Sequence, residues 1–222
     1  GISILAALKH RDLTGLGQQI DLALLDVQVA WLYNQGVNYL LNGEVPGRLG
    51  TGHPNIVPYQ AFEASDGYII LGTANEDAFQ RFCEFSGHAS LLEDPRFRTN
   101  ADRVRNRSVA NAKVQEIIKK KPADFWVTEL SRLKITCSRV NTIDQVFEDP
   151  QVRARNMTVD ISHPLSADHP LRLISSPIKL SETPVTYRRP PPTLGQHTDE
   201  VLAEVLELDE AERNRLKADG IV

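Results

Sequence analysis

Pro46-Gly47-Arg48-Leu49-Gly50-Thr51-Gly52-His53-Pro54-Asn55-Ile56-Val57-Pro58-Tyr59-Gln60-Ala61-Phe62 divides the chain and sets how its two sides are read. Three glycines and three prolines surround an Arg, a Thr and a His. Glycine admits close backbone approach and positive φ, and proline denies the stretch a helix. By composition alone the stretch is a connector between folded halves. Its side chains also admit a site. His53 can position a carboxylate, act as a general acid, or simply hydrogen-bond its own loop. Arg48 can pair with a carboxylate or phosphate, or cap the preceding helix.

Outward from this stretch, Ile2 to Arg11 reads as a helix closed by Leu13-Thr14-Gly15-Leu16-Gly17, followed by Gln18-Gln19-Ile20-Asp21-Leu22 as a short strand. Asp26 to Leu41 carries a helical apolar period interrupted by asparagine. On the other side, Glu63 to Gly67 is a turn signal, Tyr68 to Thr73 a strand, and Asn75-Glu76-Asp77 a helix start. Leu91 to Lys134 reads as helices broken at Pro95 and Pro122, with Val104, Val109, Val114, Ile117 and Ile118 as core positions. Lys119-Lys120-Lys121 suits a helix C-terminus. Ile135 to Val140 reads as a strand, Thr142 to Phe147 and Pro150 to Ala154 as short helices, and Met157 to Ser162 and Leu171 to Leu180 as strands paired across Ser166-Ala167-Asp168. Arg188-Arg189-Pro190-Pro191-Pro192 is a stiff linker into helices over Asp199 to Leu206 and Asp209 to Ala218. Linkers near 41–58 and 184–195 thus bracket a mixed α/β segment. The outer parts are expected to pack together or on something else.

The 222 residues, 41% apolar and 24% charged, suit a globular chain of one or two domains. A formal net charge of -4 argues against general electrostatic binding of nucleic acid or anionic membrane. Cys83 and Cys137, far apart, support neither a disulfide framework nor a zinc cluster, so a reducing compartment is expected. The apolar Ile2 to Leu8 is too short to span a bilayer. The glycine stretch lacks the Gly-Lys-Ser/Thr of a P-loop, no Gly-x-Ser-x-Gly elbow occurs, and His163, His169 and Cys137 match no zinc spacing. The chain begins on Gly, and its one methionine is Met157, which suits a piece of a longer product.

Several segments, taken in order, resemble the family III CoA-transferases, the group that includes formyl-CoA transferase, carnitine CoA-transferase and the succinyl-CoA:glutarate transferases. They are Ile4 to Leu8 through Thr14-Gly15-Leu16-Gly17-Gln18; Gly50-Thr51-Gly52-His53 with Val57-Pro58-Tyr59-Gln60-Ala61-Phe62; Asp66-Gly67-Tyr68-Ile69; Asp94-Pro95-Arg96-Phe97; Asn141-Thr142 with Asp149-Pro150-Gln151-Val152; and Pro190 to Thr198. The Gly-Thr-Gly-His loop and the Val-Pro-Tyr-Gln-Ala-Phe after it are similar to the dicarboxylate-using branch.

The resemblance implies a mixed α/β fold, the C-terminal part of that family's architecture. Residues 1–45 would be a remnant of the large CoA-binding domain, 46–165 the glycine-loop linker and small α/β domain, and 166–222 a return linker with C-terminal helices. It implies an enzyme that transfers CoA from a donor such as succinyl-CoA to a carboxylic acid through an aspartyl-CoA intermediate. The substrates would be an acyl-CoA and an acid, with coenzyme A as thioester and no bound cofactor or metal. The full-length protein would be a homodimer of the cytoplasm or mitochondrial matrix. The nucleophilic aspartate would lie ahead of Gly1, so Asp12, Asp21 and Asp26 do not inherit its role and no catalytic residue is assigned. The glycine loop would cover the covalent intermediates, with Arg48, Gly50, Thr51, Gly52 and His53 as substrate-binding positions. An α-methylacyl-CoA racemase, working by acid/base chemistry, and a noncatalytic assembly module are the alternatives.

Overall fold

The computed structural model describes residues 1–222, the side chain of Ala167 excepted. It forms two compact units, Gly1–Val140 and Asn141–Val222.

The first unit begins with α1 (Ile2–Thr14), α2 (Leu24–Ala30) and α3 (Tyr33–Asn42). Gly15 ends α1 with φ 76 and returns its N–H to the Arg11 carbonyl at 2.7 Å, a left-handed cap that glycine adopts without steric cost. The expected strand over 18–22 does not form. The segment is exposed and joins no sheet, because alternation yields a strand only where another edge supplies hydrogen bonds. The single interrupted helix expected over 26–41 is two helices, divided at Trp31-Leu32. Val27, Val29, Trp31 and Gly36 are weak helix formers, and no burial holds the helix through them. None of the residues of α1, α2 or α3 is buried.

The remainder of this unit has its own core. β1 (Tyr59–Ala64) and β2 (Gly67–Gly72) form an antiparallel hairpin pairing Tyr59 with Gly72 and Ala64 with Gly67. β3 (Thr136–Val140) pairs antiparallel with the other edge of β2, giving the order β1-β2-β3. Side chains alternate between faces of a strand, so Phe62 and Ala64 of β1 and Ile69 and Leu71 of β2 enter one core. α4 (Glu76–Phe85), a 3-10 turn at Ala89–Leu92, α5 (Asn100–Arg105), α6 (Arg107–Ile118) and α7 (Ala123–Arg132) follow β2 in the chain. Phe79 and Phe82 of α4, Val114, Ile117 and Ile118 of α6, and Trp126 and Leu130 of α7 complete the core. Each large apolar side chain buried there contributes about 1.5–3 kcal/mol. Val104 and Val109, expected in the core, are half-buried against it. Asn75 caps α4 as its sequence predicts, accepting the Ala78 N–H at 2.9 Å. The expected turn over Glu63 to Gly67 is narrower: Glu63 and Ala64 remain in β1, and Ser65-Asp66 makes the turn.

The second unit contains α8 (Ile143–Glu148), α9 (Pro150–Ala154), β4 (Thr158–His163), β5 (Ser166–Ile174), α10 (Thr198–Glu204) and α11 (Glu210–Ala218). β4 and β5 pair antiparallel with Thr158 opposite Ile174 and an irregularity between Ile161 and His163. The turn falls at Pro164-Leu165 rather than at 166–168. Proline lacks the N–H that a ladder position would use, and it marks the reversal more strongly than the Asp that follows. α10 and α11 are tied by Lys217 donating to Asp199 at 2.6 Å.

Candidate functional site

The glycine loop runs between α3 and β1, and its two sides are held differently. Leu49 accepts the Gly52 N–H at 2.9 Å, a tight turn in which Gly50 takes φ 60. A Cβ on Gly52 would lie 3.0 Å from the Leu49 carbonyl, a tight contact that the turn would have to ease by a few tenths of an ångström. The Thr51 hydroxyl accepts the Ala61 N–H at 3.0 Å, and the His53 N–H donates to the Tyr59 carbonyl at 2.8 Å. The loop therefore lies back along β1. His53 stacks on Tyr59 with ring centroids 5.4 Å apart, and its Nδ1 accepts the Asn55 N–H at 3.1 Å. That bond leaves Nε2 as the nitrogen able to carry the proton of the neutral ring.

Arg48 is exposed and makes no hydrogen bond or ion pair among the described residues. It does not cap α3, whose end is closed by Gly43 with φ 73. Gly50, Thr51, Gly52 and His53 are contiguous in space as in sequence, and Arg48 stands apart from their hydrogen bonds.

Sequence reasoning passed over the residues that hold the far side. Arg107, the first residue of α6, donates to the carbonyls of His53 at 2.8 Å and Pro54 at 2.5 Å. Asn100 donates to the Asn55 carbonyl at 2.8 Å and accepts the Val57 N–H at 3.1 Å. Arg103 donates from Nε to the Val57 carbonyl at 2.7 Å and from Nη1 to the Phe97 carbonyl at 2.9 Å. It is fully buried, pairs with Glu76 at 2.8 Å and stacks 4.1 Å from the Phe79 ring centroid. Burial alone lowers the Arg107 pKa below its ordinary value. Asn111 donates to the Gln60 side chain at 2.6 Å, leaving its own Oδ1 buried without a partner. The available signal was the spacing of Asn100, Arg103 and Arg107, which recur at helical intervals, but only a loop lying over that face gives the spacing a meaning.

The two cysteines are free. Burial pushes the Cys83 thiol up to about 12 and the Cys137 thiol up to about 11, so neither is a nucleophile near neutrality. Among the described residues no group of His, Cys, Asp and Glu could hold a metal ion, and no helix is long and apolar enough to cross a membrane.

The model of CoA-transferase family III matches residues 1–198. The chain belongs to CoA-transferase family III. It is 40% identical over 204 residues to a succinate–glutarate CoA-transferase of Agrobacterium fabrum, a match covering 91% of this chain and 50% of that protein. It is 33% identical to the succinyl-CoA:glutarate CoA-transferase of Mus musculus over 99% of this chain and 50% of the relative. The chain thus spans about half the length of these curated relatives and corresponds to their C-terminal portion. Among solved structures, a CAIB/BAIF family protein from Brucella suis matches with TM-score 0.71 and 37% identity, over 92% of this chain and 52% of that one. The mixed α/β architecture is therefore that of a family III CoA-transferase.

Proposed function

We propose that residues 1–222 are the C-terminal portion of an enzyme that moves CoA from an acyl-CoA donor, such as succinyl-CoA, to a carboxylic acid. The relatives named for glutarate and mesaconate favour a dicarboxylic acceptor. In this reading an aspartate carboxylate outside residues 1–222 attacks the thioester carbonyl, and the C–S bond breaks to give a mixed anhydride and CoA thiolate. The thiolate then attacks the aspartyl carbonyl, releasing the donor acid and leaving an aspartyl-CoA thioester. The acceptor carboxylate repeats both steps in reverse order. Anhydride and thioester both hydrolyse, so the protein must keep water from them.

The observation that carries this reading is the Gly50-Thr51-Gly52-His53 turn, fastened to β1 through Thr51 and His53, while Pro46-Gly47-Arg48 leading into it is exposed and α3 reaches the loop only beyond the turn, where Asn38 and Asn55 exchange hydrogen bonds at 3.3 and 3.4 Å. Such a turn can close over a bound intermediate and offer backbone N–H groups to its carboxylate oxygens. We assign substrate contact to Gly50, Thr51, Gly52 and His53, with Arg48 available from the free side. Residues 1–45 belong with the large CoA-binding domain; the loop and small domain, expected over 46–165, have their compact core within 46–140, while the β4–β5 hairpin spans the expected boundary at 165 and goes with the segment that returns toward the large domain. The full-length protein is a homodimer of the cytoplasm or mitochondrial matrix, and its only coenzyme is the CoA of its substrates.

The protein expressed with the residues its gene encodes ahead of Gly1, given succinyl-CoA and glutarate, is expected to form glutaryl-CoA, read by chromatography of the CoA esters. Residues 1–222 alone are expected to form no thioester adduct. An adduct on this chain would overturn the assignment of the nucleophile. Exchange of the α-hydrogen of a 2-methylacyl-CoA without CoA transfer would replace the reading by a racemase.

A further inference from the structure

Four of the five carbonyls between His53 and Val57 are engaged by side chains of one short segment, residues 100–107. Two of these holders, Asn100 and Arg103, also serve elsewhere. Asn100 donates its own N–H to Glu76, and Arg103 is buried in the core against Phe79 and Phe97. Arg107 is different. Its two side-chain hydrogen bonds both go to the loop, and its guanidinium has no acidic partner among the described residues.

The location is unfavourable for a cation. Arg107 is the first residue of α6, at the positive end of the helix dipole, and burial already works against its charge. Two backbone carbonyls offset that cost in part. A planar guanidinium reaches two successive carbonyls with two N–H groups, which an ammonium cannot do from one position. Nη1 also lies 3.7 Å from where a Cβ on Gly52 would sit, so the same group underlies the glycine turn.

We propose that Arg107 is the positioning residue of the glycine loop, fixing His53 and Pro54 so that the turn at Gly50 to Gly52 pivots over one fixed base and closes in one place. This rests on the transferase reading only for its catalytic consequence. The mechanical part holds for the chain by itself. Loss of the fork would release the His53 N–H from Tyr59 and the Ala61 N–H from Thr51 while leaving β2 and β3 paired, since Arg107 makes no hydrogen bond to the three-stranded sheet.

Amide hydrogen exchange on residues 1–222 tests it. Arg107→Ala is expected to speed exchange of the His53 and Ala61 amides at least tenfold with Ile69 and Leu71 unchanged, and Arg107→Lys, which can hold one carbonyl, to fall between. Unchanged exchange at His53 and Ala61, or an equal rise throughout the core, would overturn the proposal. In the full-length enzyme, Arg107→Ala is expected to raise the ratio of donor hydrolysis to transfer at least threefold, with kcat falling more than KM for the acyl-CoA rises. A ratio equal to wild type would also overturn it. Failure of the wild-type enzyme to transfer CoA would instead sink the transferase reading, and the exchange arm would still decide the role of Arg107.

Discussion

At the scale of single residues, glycine and arginine set the loop. At Gly52 a Cβ would stand 3.0 Å from the Leu49 carbonyl, so the turn would have to give by a few tenths of an ångström. Gly52→Ala is therefore expected to shift the turn at a cost of about 1–3 kcal/mol. On the proposed transferase reading, the protein with its upstream residues should lose transfer by roughly tenfold or more, since about 1.4 kcal/mol at the transition state is a factor of ten. The check is a steady-state assay beside a thermal melt. Arg103 has the opposite character. It is fully buried, whereas its partner Glu76 is half exposed. Arg103→Met leaves the Val57 and Phe97 carbonyls unpaired in the interior, and urea unfolding is expected to show a loss of about 3 kcal/mol. Glycine and histidine in a Pro-rich stretch were visible in the sequence. The buried arginine was not, because nothing in Asn100-Ala101-Asp102-Arg103 says which side faces inward until Phe79 and the loop lie against it.

At the scale of elements, helix starts were the most legible feature. Asn75, read as a helix start, and Thr99, which the sequence reading passed over, each satisfy an N–H of the next turn with the side chain. Thr99 forms a reciprocal box with Asp102, whose carboxyl returns to the Thr99 N–H and hydroxyl. The Thr99 hydroxyl holds the Asp102 carboxyl below the usual carboxylate range, with Arg105 adding a smaller contribution. A depressed folded pKa means the box stabilises α5 above the unfolded carboxylate pKa and is lost as pH falls through the lower, folded value. Thr99→Ala is expected to cost about 1 kcal/mol at neutral pH. It should also return the Asp102 titration, followed by NMR, upward toward the ordinary range. An unmoved Asp102 titration would show that Thr99 is not its main partner. Strands were less legible. β1 was read as loop, because Tyr59-Gln60-Ala61-Phe62-Glu63-Ala64 has two alanines, which favour strands weakly, and takes its state from pairing with β2. The segment 18–22 alternates and still makes no strand, having no edge to join.

At the scale of the whole molecule, α1, α2 and α3 carry large apolar side chains with nothing over them. Ile2 is 87% exposed, Leu24 86% and Leu41 82%. Patches beyond a few hundred Å² are uncommon on soluble monomers. Residues 1–222 are therefore expected to bind the dye ANS and to self-associate on size-exclusion chromatography at micromolar concentration, with Leu40→Lys and Leu41→Gln together reducing both. A dye-free monomer would show that these helices find cover within the chain. The sequence by itself determined the family, through an ordered set of short motifs, and most helices, through caps, prolines and period. It also singled out Gly50 to His53 as a turn, since turn chemistry is local and needs no partner to be read. Only the tertiary structure decided that β1 is a strand, that 18–22 is not, and that Asn100, Arg103 and Arg107 hold the loop. β1 takes its state from hairpin pairing with β2, and the hold on the loop comes from contacts between residues some 45 to 54 positions apart, so the energy lies in pairing and burial rather than in any one residue's preference.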